Sequence, residues 1–153
     1  MEIRTQYSLF LVNKPGVLAN VCRAMADHHV NIKAMTLVDS SEHGVLRLVV
    51  EDNERSDKLF KQLNLPMSKT DVLCIEMANE PGSLAAAAER LALAHVNINY
   101  AYATSGAPGG HTIVVFKVAD MKKAEKVLGE KGKATPRDDR RLRTAPGRQS
   151  GRG

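Results

Sequence analysis

No tryptophan occurs among the 153 residues, and aromatic residues make up only 4% of them. Single-stranded nucleic acid is bound largely by stacking bases on exposed rings, and this chain has few rings to offer. Cysteine is almost as scarce. Cys22 and Cys74 stand far apart in apolar surroundings, with no Cys-x-x-Cys pair. That excludes a disulfide framework and predicts buried thiols in a reducing compartment. No apolar run approaches the roughly 20 residues that span a bilayer. Met1-Glu2-Ile3-Arg4 runs straight into a strand pattern, without the apolar core of a signal peptide. The expectation is a soluble, cytoplasmic protein with no membrane contact.

The formal net charge of +5 invites a nucleic-acid reading, but its distribution argues otherwise. Lys131 to Gly153 carry eight Lys/Arg and two Asp, a charge of +6. Met1 to Glu130 carry 14 basic against 15 acidic residues, a charge of −1. The basicity belongs to a tail of Pro, Gly, Ser and Arg with almost nothing to bury, for which disorder is expected. Weak, salt-sensitive nucleic-acid binding through Arg140, Arg141 and Arg143 is one alternative function, although a solvated charge run is the commoner case.

What the chain does have is an internal repeat, the feature to settle first in any sequence. Asn13-Lys14-Pro15-Gly16-Val17-Leu18 returns 66 positions later as Asn79-Glu80-Pro81-Gly82-Ser83-Leu84. At the same offset Val30-Asn31-Ile32 returns as Val96-Asn97-Ile98. Two copies of about 65 to 70 residues imply two small domains, 1–69 and 70–132, followed by a basic tail at 133–153. Domains so small bury a modest fraction of their surface, so pairing between them is expected to help stability.

Thr5 to Val12 is short and rich in β-formers, and predicts the first strand. A helix opening at Pro15-Gly16 places Leu18, Val21, Cys22 and Met25 on one apolar face. Strands over Asn31–Val38 and Val45–Val50 follow. A second helix, capped by Asp52 or Asn53, then buries Leu59, Phe60 and Leu63. Copy two repeats the path, with Leu84, Ala87, Ala88 and Leu91 on the equivalent helix face. Two extra residues in its hairpin loop, Ser105 to Gly110, move the offset to 68, so that Asp52 matches Asp120. A fourth strand is expected from Leu65 to Lys69 in copy one. In copy two it should follow Leu128, where Gly129 to Ala134 is polar and glycine-broken. The order βαββαβ is the split βαβ of ferredoxin-like folds, so the predicted class is α+β: two such units in tandem, antiparallel sheets with helices on one face.

The repeated turn has the chemistry of a small-anion site. The first-turn N–H groups behind it, near residues 16–18 and 82–84, have no helical partner and suit a carboxylate. Glycine lets a ligand approach the backbone closely. Asn13 and Asn79 offer a donor and an acceptor side by side, fit for an amino acid's two charged groups. Asn31 and Asn97 open the next strand, expected to face the same ligand. Against this, Asn before a helix and Pro-Gly are ordinary cap and turn residues.

At these residues the chain resembles the ACT domain, a small-molecule regulatory module of amino-acid metabolism. The resemblance covers about residues 3 to 130, in tandem, and is similar to stand-alone proteins made of two ACT domains. It implies sheets joined edge to edge and an amino acid bound where two domains meet. The implied ligand residues are Asn13, Pro15, Gly16, Val17, Leu18 and Asn31, with Asn79, Pro81, Gly82, Ser83, Leu84 and Asn97 in copy two. It also implies a homodimer or a partner enzyme of amino-acid metabolism. The serine-binding domain of phosphoglycerate dehydrogenase uses two such asparagines and a histidine two residues before the turn. Leu11 and Met77 stand at that position here, which argues against serine.

His29 matches His95, and His43 matches His111, but none has zinc-like spacing with Cys or carboxylates, so no metal and no cofactor is expected. No Ser/His/Asp, Cys/His or carboxylate pair in a recognisable setting points to catalysis, so a non-catalytic binding protein is expected. The RNA-binding fold of the same topology carries stacking aromatics on its third strand, whereas Val45 to Val50 has none. No specific nucleic-acid partner is therefore expected. A scaffold with decayed sites stays open as an alternative, copy two with Ala85 to Ala88 being the more decayed.

Overall fold

The computed structural model describes residues 1–39, 43–104 and 106–129. The tail at 133–153, with the arginines singled out above, lies outside the described residues, as does Ser105. Ten elements follow in order: β1 (Glu2–Val12), α1 (Val17–Asp27), β2 (Ile32–Asp39), β3 (His43–Val50), α2 (Asn53–Gln62), β4 (Met67–Ala78), α3 (Ser83–Leu93), β5 (Ile98–Ala103), β6 (His111–Val118) and α4 (Met121–Gly129). The six strands form one antiparallel sheet in the order β2-β3-β1-β4-β6-β5. This is two ferredoxin-like units fused edge to edge, as the repeat and the resemblance predicted.

The fusion explains the fourth strands. β4 runs unbroken through the boundary expected at 69/70, its first residues closing repeat one and its remainder opening repeat two. Gln6 to Leu9 pair with Thr70 to Met67, and Glu2 to Arg4 pair with Cys74 to Val72. Between them Thr5 lies opposite Asp71, its own counterpart at the 66-residue offset. The pseudo-twofold axis therefore passes through the Thr5–Asp71 pair. Symmetry puts the missing strand of repeat two beside Val72 to Cys74, and residues 2–4 of β1 occupy that place. No strand after Leu128 is required there: α4 runs to Gly129, where the described residues end.

Alternation along β1 and β4 sends Tyr7, Leu9, Leu11, Leu73, Ile75 and Met77 to the face that carries all four helices. Repeat one packs Val21, Met25, Leu59 and Phe60 against it, and repeat two packs Leu91 and Ala124. Full burial of each larger side chain contributes about 1.5–3 kcal/mol. The phenol of Tyr7 donates to Asp57 at 2.7 Å, and Lys69 bridges to Asp57 at 2.6 Å, tying α2 to β4. Asp52, at the start of α2, accepts from the Arg55 N–H at 2.9 Å, and Asp120 does the same for Lys123 at 3.0 Å. Both act as expected from their spacing.

The middle of the helix-free face is buried as well, because the sheet curls until its edge strands β2 and β5 approach each other. Ala34, Val49, Val72, Cys74 and Val115 line the resulting trough. Gln6 lies on its floor with no exposed surface. Its amide donates to the Tyr100 hydroxyl at 2.7 Å and accepts from the Tyr102 hydroxyl at 2.8 Å. The Arg47 guanidinium stacks 4.0 Å above the Tyr100 ring. Burial pushes the Tyr102 phenol well above its ordinary pKa, so it stays protonated and donates. The symmetry-related positions hold the opposite chemistry: Val72 for Gln6, Ala34 for Tyr100, Thr36 for Tyr102 and Val115 for Arg47. One diagonal of the trough is a hydrogen-bonded latch across the two repeats, and the other is largely apolar.

Candidate functional site

The two Asn-x-Pro-Gly turns close in the same way. The Val17 N–H reaches the Lys14 carbonyl at 3.4 Å, and the Ser83 N–H reaches the Glu80 carbonyl at 3.2 Å. Proline stands second in each turn and glycine third, with φ of 87° at Gly16 and 93° at Gly82. This is a type II turn, whose third position requires the left-handed conformation that glycine adopts without strain. The helices accordingly begin at Val17 and Ser83, later than expected, with Gly16 and Gly82 as N-caps lacking a side-chain cap bond. The donor set shifts with them. Val17 and Ser83 give their N–H groups to the turn, so the donors without a partner among the described residues are those of Leu18 and Ala19, and of Leu84 and Ala85.

Each turn borders a groove. The first, of about 240 Å³, is lined by Leu11, Asn13, Lys14, Val17, Leu18, Leu37 and Asp39, among others. The second, of about 310 Å³, is lined by Met77, Asn79, Glu80, Ser83, Leu84, Thr104 and Thr112, among others. Both volumes suit a small ligand. Their polar groups differ. The Asn13 amide nitrogen lies 3.5 Å from the Asp39 carboxylate, at the limit of a hydrogen bond, and both side chains are exposed. The Asn79 amide donates to the Gly106 carbonyl at 2.9 Å and lies 3.3 Å from that of Ala107. Its own N–H reaches the Gly110 carbonyl at 2.8 Å. Asn79 thus holds the longer β5–β6 loop, and the two extra residues of that loop were its signal in the sequence. Asp39 and Leu37 were missed, because nothing in a strand's residues says which end of it meets a turn two strands away.

The expectation that Asn31 and Asn97 face the turns of their own repeats is not met. β3 lies between β1 and β2, and β2 runs parallel to β1, so Asn31 stands at the far end from Asn13. The separation is roughly 26 Å along β2, from Asn31 to Asp39 beside Asn13, at about 3.3 Å per residue. The Asn31 carbonyl accepts from the Glu51 N–H at 3.1 Å, and the Asn97 carbonyl accepts from Ala119 at 3.0 Å. Pro15, Gly16, Pro81 and Gly82 shape the turns, while Val17, Leu18, Ser83 and Leu84 line the grooves.

His29 and His95 sit just past α1 and α3 in left-handed conformation, with φ of 53° and 54°. His111 pairs with Glu76 at 3.2 Å. No group of three or more His, Cys, Asp or Glu that could hold a metal occurs among the described residues. Cys22 and Cys74 are free, and burial pushes the Cys74 thiol up, keeping it protonated. No helix among the described residues is long and apolar enough to cross a membrane.

Comparison with known proteins agrees with this architecture. No curated protein matches the chain. Among solved structures, protein BT0572 from Bacteroides thetaiotaomicron is 31% identical with a TM-score of 0.77, over 84% of this chain and 88% of that one. The ligand-free regulatory subunit of aspartate kinase from Thermus thermophilus has a TM-score of 0.60 at 12% identity, over 84% and 96% of the two chains. The corresponding subunit from Thermus flavus gives 0.54 at 16%, over 84% and 92%. The last two show a shared fold. The family model of the ACT domain pair matches residues 1–139, and in keeping with the doubled turn, the fused sheet and the twin grooves, the chain belongs to the ACT domain pair family.

Proposed function

We propose that this protein is a non-catalytic regulatory module that binds a small amino acid in the groove at Asn13. The observation that carries the reading is the contrast between the twin turns among the described residues: Asn79 is half-buried and bonded to its own loop, whereas Asn13 is exposed and stands beside Asp39. An α-carboxylate fits the free N–H groups of Leu18 and Ala19 at the positive end of α1, with the Asn13 amide as a further donor. The α-ammonium fits the Asp39 carboxylate. Leu11, Val17 and Leu37 form an apolar wall that suits a short aliphatic side chain. Asn31 would contribute only from a second chain. The bound state is relayed to a partner enzyme of amino-acid metabolism or through assembly of two copies, by favouring one arrangement over another.

A thermal-shift screen of the full chain against the twenty amino acids tests this. A ligand at about 100 times its Kd stabilises by about 2.7 kcal/mol, a readily measured rise in Tm. The expected result is a shift with one or two small aliphatic amino acids, lost in Asn13→Ala and in Asp39→Asn and kept in Asn79→Ala. No shift with any amino acid at millimolar concentration would replace this reading with that of a scaffold.

A further inference from the structure

The trough on the helix-free face has two mouths, related by the pseudo-twofold axis, and they have diverged in chemistry. One opens into a cavity of about 270 Å³ lined by Met1, Glu2, Lys33, Cys74, Glu76 and Ile113. At the other mouth the equivalent positions are Met67, Ser68, Asn99, Ser8, Phe10 and Val45, with no charge among them. We propose that the charged mouth is a second binding site, distinct from the Asn13 groove, for a small zwitterion carrying one ammonium and one carboxylate.

Lys33 and Glu76 come from different repeats and different strands, so the cavity exists only because the sheet curls. Lys33 sits at a register irregularity of β2, between Ile32 and Ala34. Such a bulge re-aims a side chain, and here it coincides with an ammonium lining the cavity instead of standing on a flat strand edge. Glu76, from β4, lines the same cavity and offers a carboxylate, and Ile113 and the Cys74 thiol add neutral lining. Lys33 is held 3.2 Å from Glu2, which Arg4 also pairs at 3.0 Å, so Glu2 stays neutralised when Lys33 turns to a ligand. Among the described residues Glu76 is paired only with His111, at 3.2 Å with both side chains largely exposed, an arrangement water already weakens. A ligand with ammonium on Glu76 and carboxylate on Lys33 bridges β2 to β4, and so ties repeat one to repeat two. A lone cation or a lone anion makes half of these contacts and bridges nothing.

The test is a two-dimensional 1H–15N titration of the full chain with glycine, β-alanine and 4-aminobutanoate, whose charges are progressively further apart. Acetate and methylammonium serve as single-charge controls. The expected result is saturable shifts of the Lys33, Cys74 and Glu76 amides with at least one zwitterion and with neither control. These shifts are lost in Lys33→Met and in Glu76→Gln, each checked to give a spectrum as dispersed as the parent's, and they persist in Asn13→Ala. The proposal is overturned if no zwitterion moves these amides, if acetate or methylammonium alone reproduces the shifts, or if both mouth variants retain them. Loss of the shifts in Asn13→Ala also overturns it, by showing a relay from the groove. The amides of Leu18 and Ala19 report the groove in the same spectra, so failure at one site is read separately from failure at the other.

Discussion

Replacing Tyr102 by Phe removes one oxygen from the middle of the trough and tests whether the two repeats are latched there. The Tyr102 hydroxyl is the donor to the Gln6 amide oxygen, and Gln6 is fully buried. In Tyr102→Phe that oxygen keeps its desolvation cost and loses its partner, a penalty of about 1–3 kcal/mol. For a chain of this size each kcal/mol moves Tm by roughly 2–4 °C, so a fall of about 5 °C is expected. Gln6→Leu should cost less, because the two tyrosine side chains are only partly buried and water can replace the amide at their hydroxyls. On the Gln6→Leu background, Tyr102→Phe should be nearly neutral, since both partners of the bond are then apolar. Urea unfolding of the parent, both single variants and the double variant gives the cycle, with an expected coupling of about 1–2 kcal/mol at unchanged m. The reasoning is refuted if Tyr102→Phe lies within about 0.3 kcal/mol of the parent, or if the two costs simply add.

Asp52→Ala should lower stability by about 1 kcal/mol in chemical denaturation, through loss of the cap on the Arg55 N–H. His29→Gly should raise it by up to about 1 kcal/mol, because φ of 53° strains any residue with a Cβ, and no change would show the strain to be absorbed locally. Asp57 has its carboxyl held below the ordinary 3.8 by the hydrogen bond from Lys69, opposed by partial burial and helped by the Tyr7 hydroxyl. A depressed acid stabilises the fold above its unfolded pKa, and that contribution is lost as pH falls through the folded value. Asp57→Asn should therefore be less stable at neutral pH and lose stability less steeply below about pH 4, as followed by Tm against pH.

The fold was largely legible because the repeat appears in polar turn residues as well as in the apolar pattern. Asn-x-Pro-Gly at a fixed offset pins both copies in register, and the caps Asp52 and Asp120 then fall into place. The fourth strand of repeat two was not legible, because its place is taken by residues 2–4, which on local grounds belong wholly to repeat one. The candidate site was half legible. Pro-Gly predicted the turn and the free helix donors, but not that proline stands inside a type II turn, which moves those donors from residues 16–18 to 18–19. The pairing of Asn31 with Asn13 failed for a topological reason: with β3 inserted between β1 and β2, parallel strands start together at the end away from the turn. The latch was invisible, since Gln6 in a strand looks like a solvent-facing residue until the sheet folds over it.

The long pairing of β1 with β4 also has a consequence for synthesis. Glu2 finds its partner in Cys74, and Arg4 in Val72, about 70 residues further along the chain. Domains generally fold from the N-terminus as they leave the ribosome. Here β1 must wait through the whole of repeat one with the edge at residues 2–4 lacking its β4 partner, an exposed template for the wrong neighbour. Glu2 and Arg4 are charged and alternate along that waiting edge, the kind of residue that discourages such pairing until β4 emerges to claim it.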